Sequence, residues 1–130
     1  MTKEELINHW VNQADRDVDT MEYMFLGKRY DWSLFIGHLI IEKLLKALFI
    51  KVHGKDVPVP RIHNLVVLAE RDKLILDNDL KAKLHAITAF NIEARYQDYK
   101  LAFYKRCAKQ YAGKWKKEIE DLRKWLKSQI

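Results

Sequence analysis

The sequence has few residues that interrupt or cross-link a chain, with one cysteine, two prolines and four glycines among 130 residues. The single Cys107 excludes an internal disulfide, and it is more typical of a small packing residue than of a nucleophile. Both prolines, Pro58 and Pro60, lie in one connector at residues 54–62. No proline therefore prevents the rest of the chain from forming long helices.

Several motifs of enzymes and metalloproteins are also missing. The sequence contains no Gly-rich phosphate loop, no Cys-x-x-Cys pair and no Ser-His-Asp arrangement that we can place. Residues 1–5 lack the basic flank and apolar core of a secretory signal, so we expect a cytoplasmic protein. Residues 34–50 include charged residues such as Glu42 and Lys46, whereas a spanning helix needs roughly 20 mostly apolar residues. We therefore expect no membrane segment.

What the sequence does contain is helical periodicity. Apolar residues recur every three or four positions over residues 7–25, which predicts a first helix with a left-handed C-terminal cap at Gly27. Residues 36–50 would be apolar on nearly every side of a helix, and such a helix belongs inside a bundle. We predict that this second helix runs from a cap at Asp31 to about His53.

Three further glycines indicate a helix crossing, a helix end and a possible break. Gly37, inside the second helix, indicates a close crossing with another helix because it has no side chain. Gly54 is predicted to stop the second helix. Gly113 is a possible kink or break in the last segment, where one long helix or two short ones would both fit the apolar spacing.

Capping residues divide the chain between these segments. Asn64 is predicted to cap a short third helix that runs to about Lys73. Asp77 or Asn78 is predicted to start a fourth helix that ends near residues 95–96.

Together these segments predict an all-α fold, an up-and-down bundle of four to five helices with a long central helix at about residues 31–53. We expect one domain over residues 1–130 with a basic C-terminal helix at about 100–129. Residues 100–130 hold ten Lys and Arg against three acidic residues, so this part carries +7 and the remainder −1. Such a surface could meet phosphates or an acidic partner, although a solvated helix face is the commoner explanation. The bases that we expect to be available to phosphates are Lys116, Lys117, Arg123 and Lys124.

Five separated stretches carry a resemblance to a known family. They are Ala14-Asp15-Arg16-Asp17-Val18, Gly27 to Trp32, His38 to Leu48 with its Glu-Lys pair, Pro60 to Leu65, and Ala94-Arg95-Tyr96. In order and spacing they resemble the HEPN domain, named for nucleotide binding in higher eukaryotes and prokaryotes. Asn64 stands where the family usually has Asp, and Gln97 replaces a proline.

The resemblance implies a five-helix domain, usually a homodimer, in cytoplasmic prokaryotic proteins that are often encoded beside a minimal nucleotidyltransferase, in the manner of a toxin-antitoxin pair. Many HEPN proteins are metal-independent ribonucleases with an Arg followed, four to six residues later, by a His. None of the seven arginines in this chain has a His at that distance. We therefore predict a nucleotide- or partner-binding protein without catalytic residues, cofactor or metal.

Two alternatives stay open. One is a ribonuclease toxin that combines Arg95 with a displaced histidine such as His63 or His85, because an arginine would stabilise phosphorane charge and a histidine would move protons. The other is a helical adaptor that binds an acidic partner through its basic C-terminal helix.

The candidate nucleotide- or phosphate-binding residues are Asp17, Glu42, Lys46, His63, Arg95 and Tyr96. Glu42 and Lys46 are either an exposed intrahelical pair or buried charges that share a pocket with Asp17 and Arg95. Arg95 could grip a phosphate through two parallel bonds, or pair with Asp17 or Glu42.

The histidines have simpler expected roles. His38 and Glu42 are one turn apart, but two ligands are too few for a tight metal site, so we expect a hydrogen bond between them. His63 precedes a helix start, where its ring could fix the loop or respond to a phosphate. Tyr96 and the aromatic residues that follow it could stack on RNA bases, although most of them should pack inside the bundle or across a dimer interface.

Overall fold

The structure, a computed structural model that describes residues 1–130, consists of six helices and contains no strand. The helices are α1 (Lys3–Leu26), α2 (Tyr30–His53), α3 (Leu65–Arg71), α4 (Asn78–Glu93), α5 (Gln97–Arg106) and α6 (Lys109–Gln129). The predicted all-α bundle is confirmed. Its helices number six because the C-terminal segment forms two.

Helix α2 is the centre of the bundle. It packs most extensively on α1, then on α6, and also against α3, α4 and α5, which explains why its sequence is apolar on nearly every side. Gly37 is the close crossing that the sequence predicts. A Cβ atom there would lie 2.5 Å from Ile119 Cδ1 of α6 and 3.4 Å from Met21 Sδ of α1.

The turn between α1 and α2 differs from the prediction at both ends. Gly27 has a φ of −79°, and the left-handed residue is Lys28 with a φ of 61°. Helix α2 begins at Tyr30 after Arg29, so the predicted cap at Asp31 is wrong, and Asp31 lies inside the first turn. Its carboxylate there lies near the positive end of the α2 dipole. Gly54, with a φ of 87°, ends α2 as predicted.

Side-chain caps start α3 and α4 where the sequence places them. The Asn64 Oδ1 atom accepts hydrogen bonds from the backbone N–H groups of Val66 and Val67. The Asp77 carboxylate accepts one from Leu80 N at 2.8 Å. Both helices end about two residues before their predicted ends.

The C-terminal segment breaks between α5 and α6 at Cys107 and Ala108, whereas Gly113, the possible kink or break of the sequence, lies inside α6. Tertiary packing explains the position. Phe103 of α5 and Trp115 of α6 both contact the Phe90 ring of α4, at centroid distances of 5.6 and 5.4 Å. In one straight helix, residues 12 positions apart would be separated by about 18 Å, so both could not contact one ring.

Cys107 fills a packing position at this break. It is 4% exposed, and burial raises the pKa of its thiol to about 12. The thiol is therefore protonated near neutral pH, which fits packing rather than nucleophilic chemistry.

Candidate functional site

The site centres on the Glu42 carboxylate, in the middle of α2. Glu42 is 5% exposed, and its Oε2 atom accepts a hydrogen bond from Lys46 Nζ at 3.2 Å. Lys46 lies one turn further along α2, itself 8% exposed. The Oε1 atom accepts a hydrogen bond from His63 Nδ1 at 2.6 Å. The Glu42–Lys46 pair is thus buried, and a third side chain, from the connector before α3, completes it.

His38, one turn before Glu42, holds the same connector by a different contact. Its Nε2 atom donates to the His63 backbone carbonyl at 3.0 Å and lies 3.9 Å from Glu42 Oε1, so the predicted hydrogen bond between His38 and Glu42 is wrong. Burial lowers the pKa of His38 below its ordinary 6.5, and the positive charge of Arg95 contributes to the same direction. His38 is therefore neutral near pH 7, and its Nδ1 atom is buried without a partner.

The His63 ring is fixed at one nitrogen and free at the other. Because a carboxylate only accepts, the bond to Glu42 places a proton on Nδ1. The side chain is 60% exposed, and Nε2 has no protein partner. The connector is held further by Leu65 N, which donates to Thr88 Oγ1 of α4 at 3.1 Å.

Arg95 lies just beyond the end of α4 and is exposed. Its Nε atom donates to the Asn91 carbonyl and its Nη2 atom to Asn91 Oδ1, both at 2.9 Å. The guanidinium lies over the rings of Phe35 and Tyr96, at 5.4 and 5.6 Å from their centroids. It has no ion pair within 4 Å, so the predicted pairing with Asp17 or Glu42 is wrong.

Asp17 belongs to a separate contact between α1 and α2. Its carboxylate accepts a hydrogen bond from Lys43 Nζ at 2.5 Å. Lys43 follows Glu42 directly and is rotated by about 100° around the helix axis, which directs it to α1 while Glu42 faces the connector. One pocket shared by Asp17, Glu42 and Arg95 is therefore not formed.

The six predicted residues thus form three groups. Glu42, Lys46 and His63 meet, Arg95 and Tyr96 lie together, and Asp17 stands apart. His38, which the sequence predicts only to bond Glu42, joins the first group through its contact with the His63 carbonyl.

The basic face of α6 is partly neutralised by α1. Lys116 bonds Glu22 at 2.5 Å, and Arg123 and Lys127 bond Asp15 at 3.2 and 3.1 Å. Lys116 and Arg123 were expected to be available to phosphates, but both are paired with carboxylates of α1. Lys117 pairs only with Asp121 at 3.5 Å, in an exposed contact.

A second polar feature, which the sequence did not indicate as a site, lies at the start of α2. Asp31 is 7% exposed and lines two adjoining hollows of about 430 and 440 Å³. Its sequence position suggested only a helix cap. Burial without a hydrogen-bond partner, which only tertiary structure reveals, distinguishes it from a cap.

Neither a metal centre nor a membrane span is present in the structure. No three His, Cys, Asp or Glu side chains are grouped closely enough to hold a metal ion. No helix is both long enough and apolar enough to cross a bilayer.

The protein is a helical bundle in which an apolar central helix carries a buried Glu-Lys pair. A family model described as the HEPN domain matches residues 7–129. The chain therefore belongs to the HEPN domain family. Neither the curated proteins nor the solved structures contain a match to the chain.

Proposed function

We propose that this HEPN protein binds the phosphate of a nucleotide or of RNA through Arg95 and His63, without turnover of its own. One observation carries the proposal: the exposed Arg95 guanidinium has no acidic partner. Only Asn91 oxygens satisfy it, and these leave its full positive charge uncompensated. A guanidinium of this kind favours an anion with several oxygens, since it binds phosphate through parallel hydrogen bonds.

The surroundings of Arg95 support a nucleotide rather than a free anion. Tyr96 is 55% exposed beside the guanidinium and offers a ring on which a base could stack. The free Nε2 atom of His63 offers a second contact, which would donate to a phosphate once protonated. Lys46 has a supporting role in this proposal, because its bond to buried Glu42 occupies it.

Calorimetric titration with ADP tests the proposal. We expect Arg95→Ala to weaken binding about tenfold or more, since a charged hydrogen bond contributes about 1.5 to 3 kcal/mol. Arg16→Ala is the matched control, because Arg16 is an exposed arginine on α1 without an ion pair. Identical heats for the wild type and Arg95→Ala would reject the proposal.

A ribonuclease is the second candidate, and the Glu42–His63 contact favours it. A carboxylate that holds Nδ1–H leaves Nε2 free to accept a proton, which is how a general base is arranged. Incubation with RNA in the presence of chelator separates the two functions. Cleavage that both Arg95→Ala and His63→Ala abolish would establish the ribonuclease and overturn the proposal of binding without turnover.

We also propose that the chain acts in the cytoplasm as a homodimer and as the accessory half of a two-gene system with a minimal nucleotidyltransferase. Apolar side chains exposed near the end of α4 and on α5, namely Ile92 and Tyr99, support an interface there. Light scattering should give a dimer mass that Ile92→Glu lowers and Ile75→Glu, at another exposed apolar position, does not. A monomer mass for the wild type would reject the homodimer. Failure to copurify with the product of an adjacent nucleotidyltransferase gene would reject the two-gene system.

A further inference from the structure

The hollow at the start of α2 contains a carboxylate that nothing in the protein satisfies. Asp31 is 7% exposed, yet its oxygens accept no hydrogen bond, and no Lys, Arg or His nitrogen lies within 4 Å of them. The two adjoining hollows of about 430 and 440 Å³ share Asp31 and Tyr104 in their walls. Cavities of this size accommodate a small organic ligand. The Asp31 oxygens are open to the hollow rather than enclosed, so a ligand that supplies hydrogen-bond donors can replace the water that reaches them there.

The rim of the same hollow has the opposite charge. Lys28, Lys105 and Lys109 line one side and Lys100 the other, and none of the four is in an ion pair. They are too far from Asp31 to pair with it, so they remain available to an anion.

The N-terminus of α6 adds backbone donors to this rim. Ala108 precedes the helix without a side-chain cap, and the first turn contains no acidic residue. The first backbone N–H groups of a helix lack intrahelical partners and bind phosphate well, with the helix dipole in support. Since α6 is 21 residues long, its dipole is fully developed.

The ligand must therefore present hydrogen-bond donors to Asp31 and negative charge to the rim. Free phosphate lacks the donors, and a polyamine would be repelled by the lysines. Guanine has two adjacent donors, N1–H and the 2-amino group, which match the two oxygens of a carboxylate. Adenine places its N1 acceptor against the carboxylate. We infer that this hollow binds a guanine nucleotide, with the base on Asp31 and the phosphates on the lysines and the α6 N-terminus.

The Tyr104 ring, 60% exposed and shared by both hollows, provides a stacking surface for the base. The site uses none of Glu42, His63 and Arg95, so it can be tested independently of the proposed phosphate contact at Arg95.

Calorimetry with the wild type needs no variant. GDP should bind about tenfold or more tightly than ADP, and inosine diphosphate, which lacks the 2-amino group, should bind about tenfold more weakly than GDP. Equal affinities for the three nucleotides would overturn the inference. Repeating the series in Arg95→Ala separates the proposals: a surviving preference for guanine supports this site whether or not ADP binding depends on Arg95, and a lost preference overturns it.

The Asp31→Asn variant provides a test that loss of folding cannot mimic. An amide at this position offers one donor and one acceptor, which matches xanthine, whose 2-carbonyl replaces the 2-amino group. The preference should therefore change from GDP to xanthosine diphosphate. Asp19→Asn, at an exposed and unpaired position of α1, should keep the preference for GDP. An unchanged preference in Asp31→Asn would overturn the inference.

Discussion

The middle and the beginning of α2 each bury a carboxylate, and they do so in opposite ways. Glu42 is 5% exposed and accepts hydrogen bonds from Lys46 and His63, while Asp31 is 7% exposed and accepts none. The same helix thus contains one buried charge that the protein satisfies and one that it does not. The first has a structural role, and the second is open to a ligand.

The difference follows from the position of each residue along α2. Glu42 lies where the connector and α2 enclose it, so an unpaired charge would be strongly destabilising there. Asp31 lies in the first turn, where the helix dipole stabilises a negative charge and the hollow admits solvent. Water can satisfy the carboxylate there in place of a protein partner.

The largest expected effect is the loss of Glu42. Glu42→Ala leaves Lys46 buried and unpaired, which should lower the free energy of unfolding by about 3 to 5 kcal/mol in urea denaturation. Asp79→Ala is the matched control, because Asp79 also pairs with a lysine one turn later but is 76% exposed. Its loss should cost less than about 1 kcal/mol. Equal losses for the two variants would remove the distinction between a satisfied core charge and a surface pair.

Local sequence patterns predict the first four helices and the caps at Asn64 and Asp77, but not the turn between α1 and α2. The apolar run of α2 and the caps at Asn64 and Asp77 are local patterns, and the absence of a side chain at Gly37 indicates a crossing without naming its partners, Met21 and Ile119. The sequence does not locate the break at Cys107 and Ala108, because this break arises from the packing of Phe103 and Trp115 on the distant Phe90 ring.

Predicting partners for the charged residues was harder, because it requires knowing which face of each helix meets which neighbour. Lys43 and Lys46 are close in sequence, but Lys43 bonds Asp17 and Lys46 bonds Glu42. His63 reaches Glu42 across 21 residues, and no local spacing indicates this contact. The sequence therefore indicates the Glu42–Lys46 pair but not the contact that His63 makes with it.

A third buried carboxyl, Asp72, extends the comparison, because it is 3% exposed and both of its oxygens are enclosed without a partner. Burial raises the pKa of Asp72 from 3.8 to about 8. Between these values the unfolded chain binds fewer protons than the folded one, so stability falls as the pH rises toward about 8.

Asp72→Asn removes this ionisation. The variant should therefore exceed the wild type by about 1 to 3 kcal/mol near pH 9, and the gain should disappear near pH 4. Urea denaturation at several pH values measures it, with Asp56→Asn in the exposed connector as control. Parallel pH curves for Asp72→Asn and the wild type would mean that Asp72 keeps its charge when folded.

His38 should produce a smaller pH dependence of the opposite sign. Burial lowers its pKa below 6.5, while the bond to the His63 carbonyl and the charge of Glu42 oppose that shift. The unfolded chain then binds more protons just below pH 6.5, so stability should fall as the pH decreases from 6.5. Denaturation of His38→Gln should lack this decline, and His85→Gln, exposed on α4, should keep it. A decline that persists in His38→Gln would assign it to another group.

The smallest effect should come from Asp31, although it is nearly as buried as Glu42. Asp31→Asn breaks no hydrogen bond or ion pair and loses only the interaction with the α2 dipole, about 0.3 to 1 kcal/mol. Thermal and urea denaturation without added nucleotide should show this small change. A loss as large as that of Glu42→Ala would mean that Asp31 has a structural partner after all. Asp31 would then resemble Glu42 in having a protein partner, and the hollow would not contain an unpartnered carboxylate.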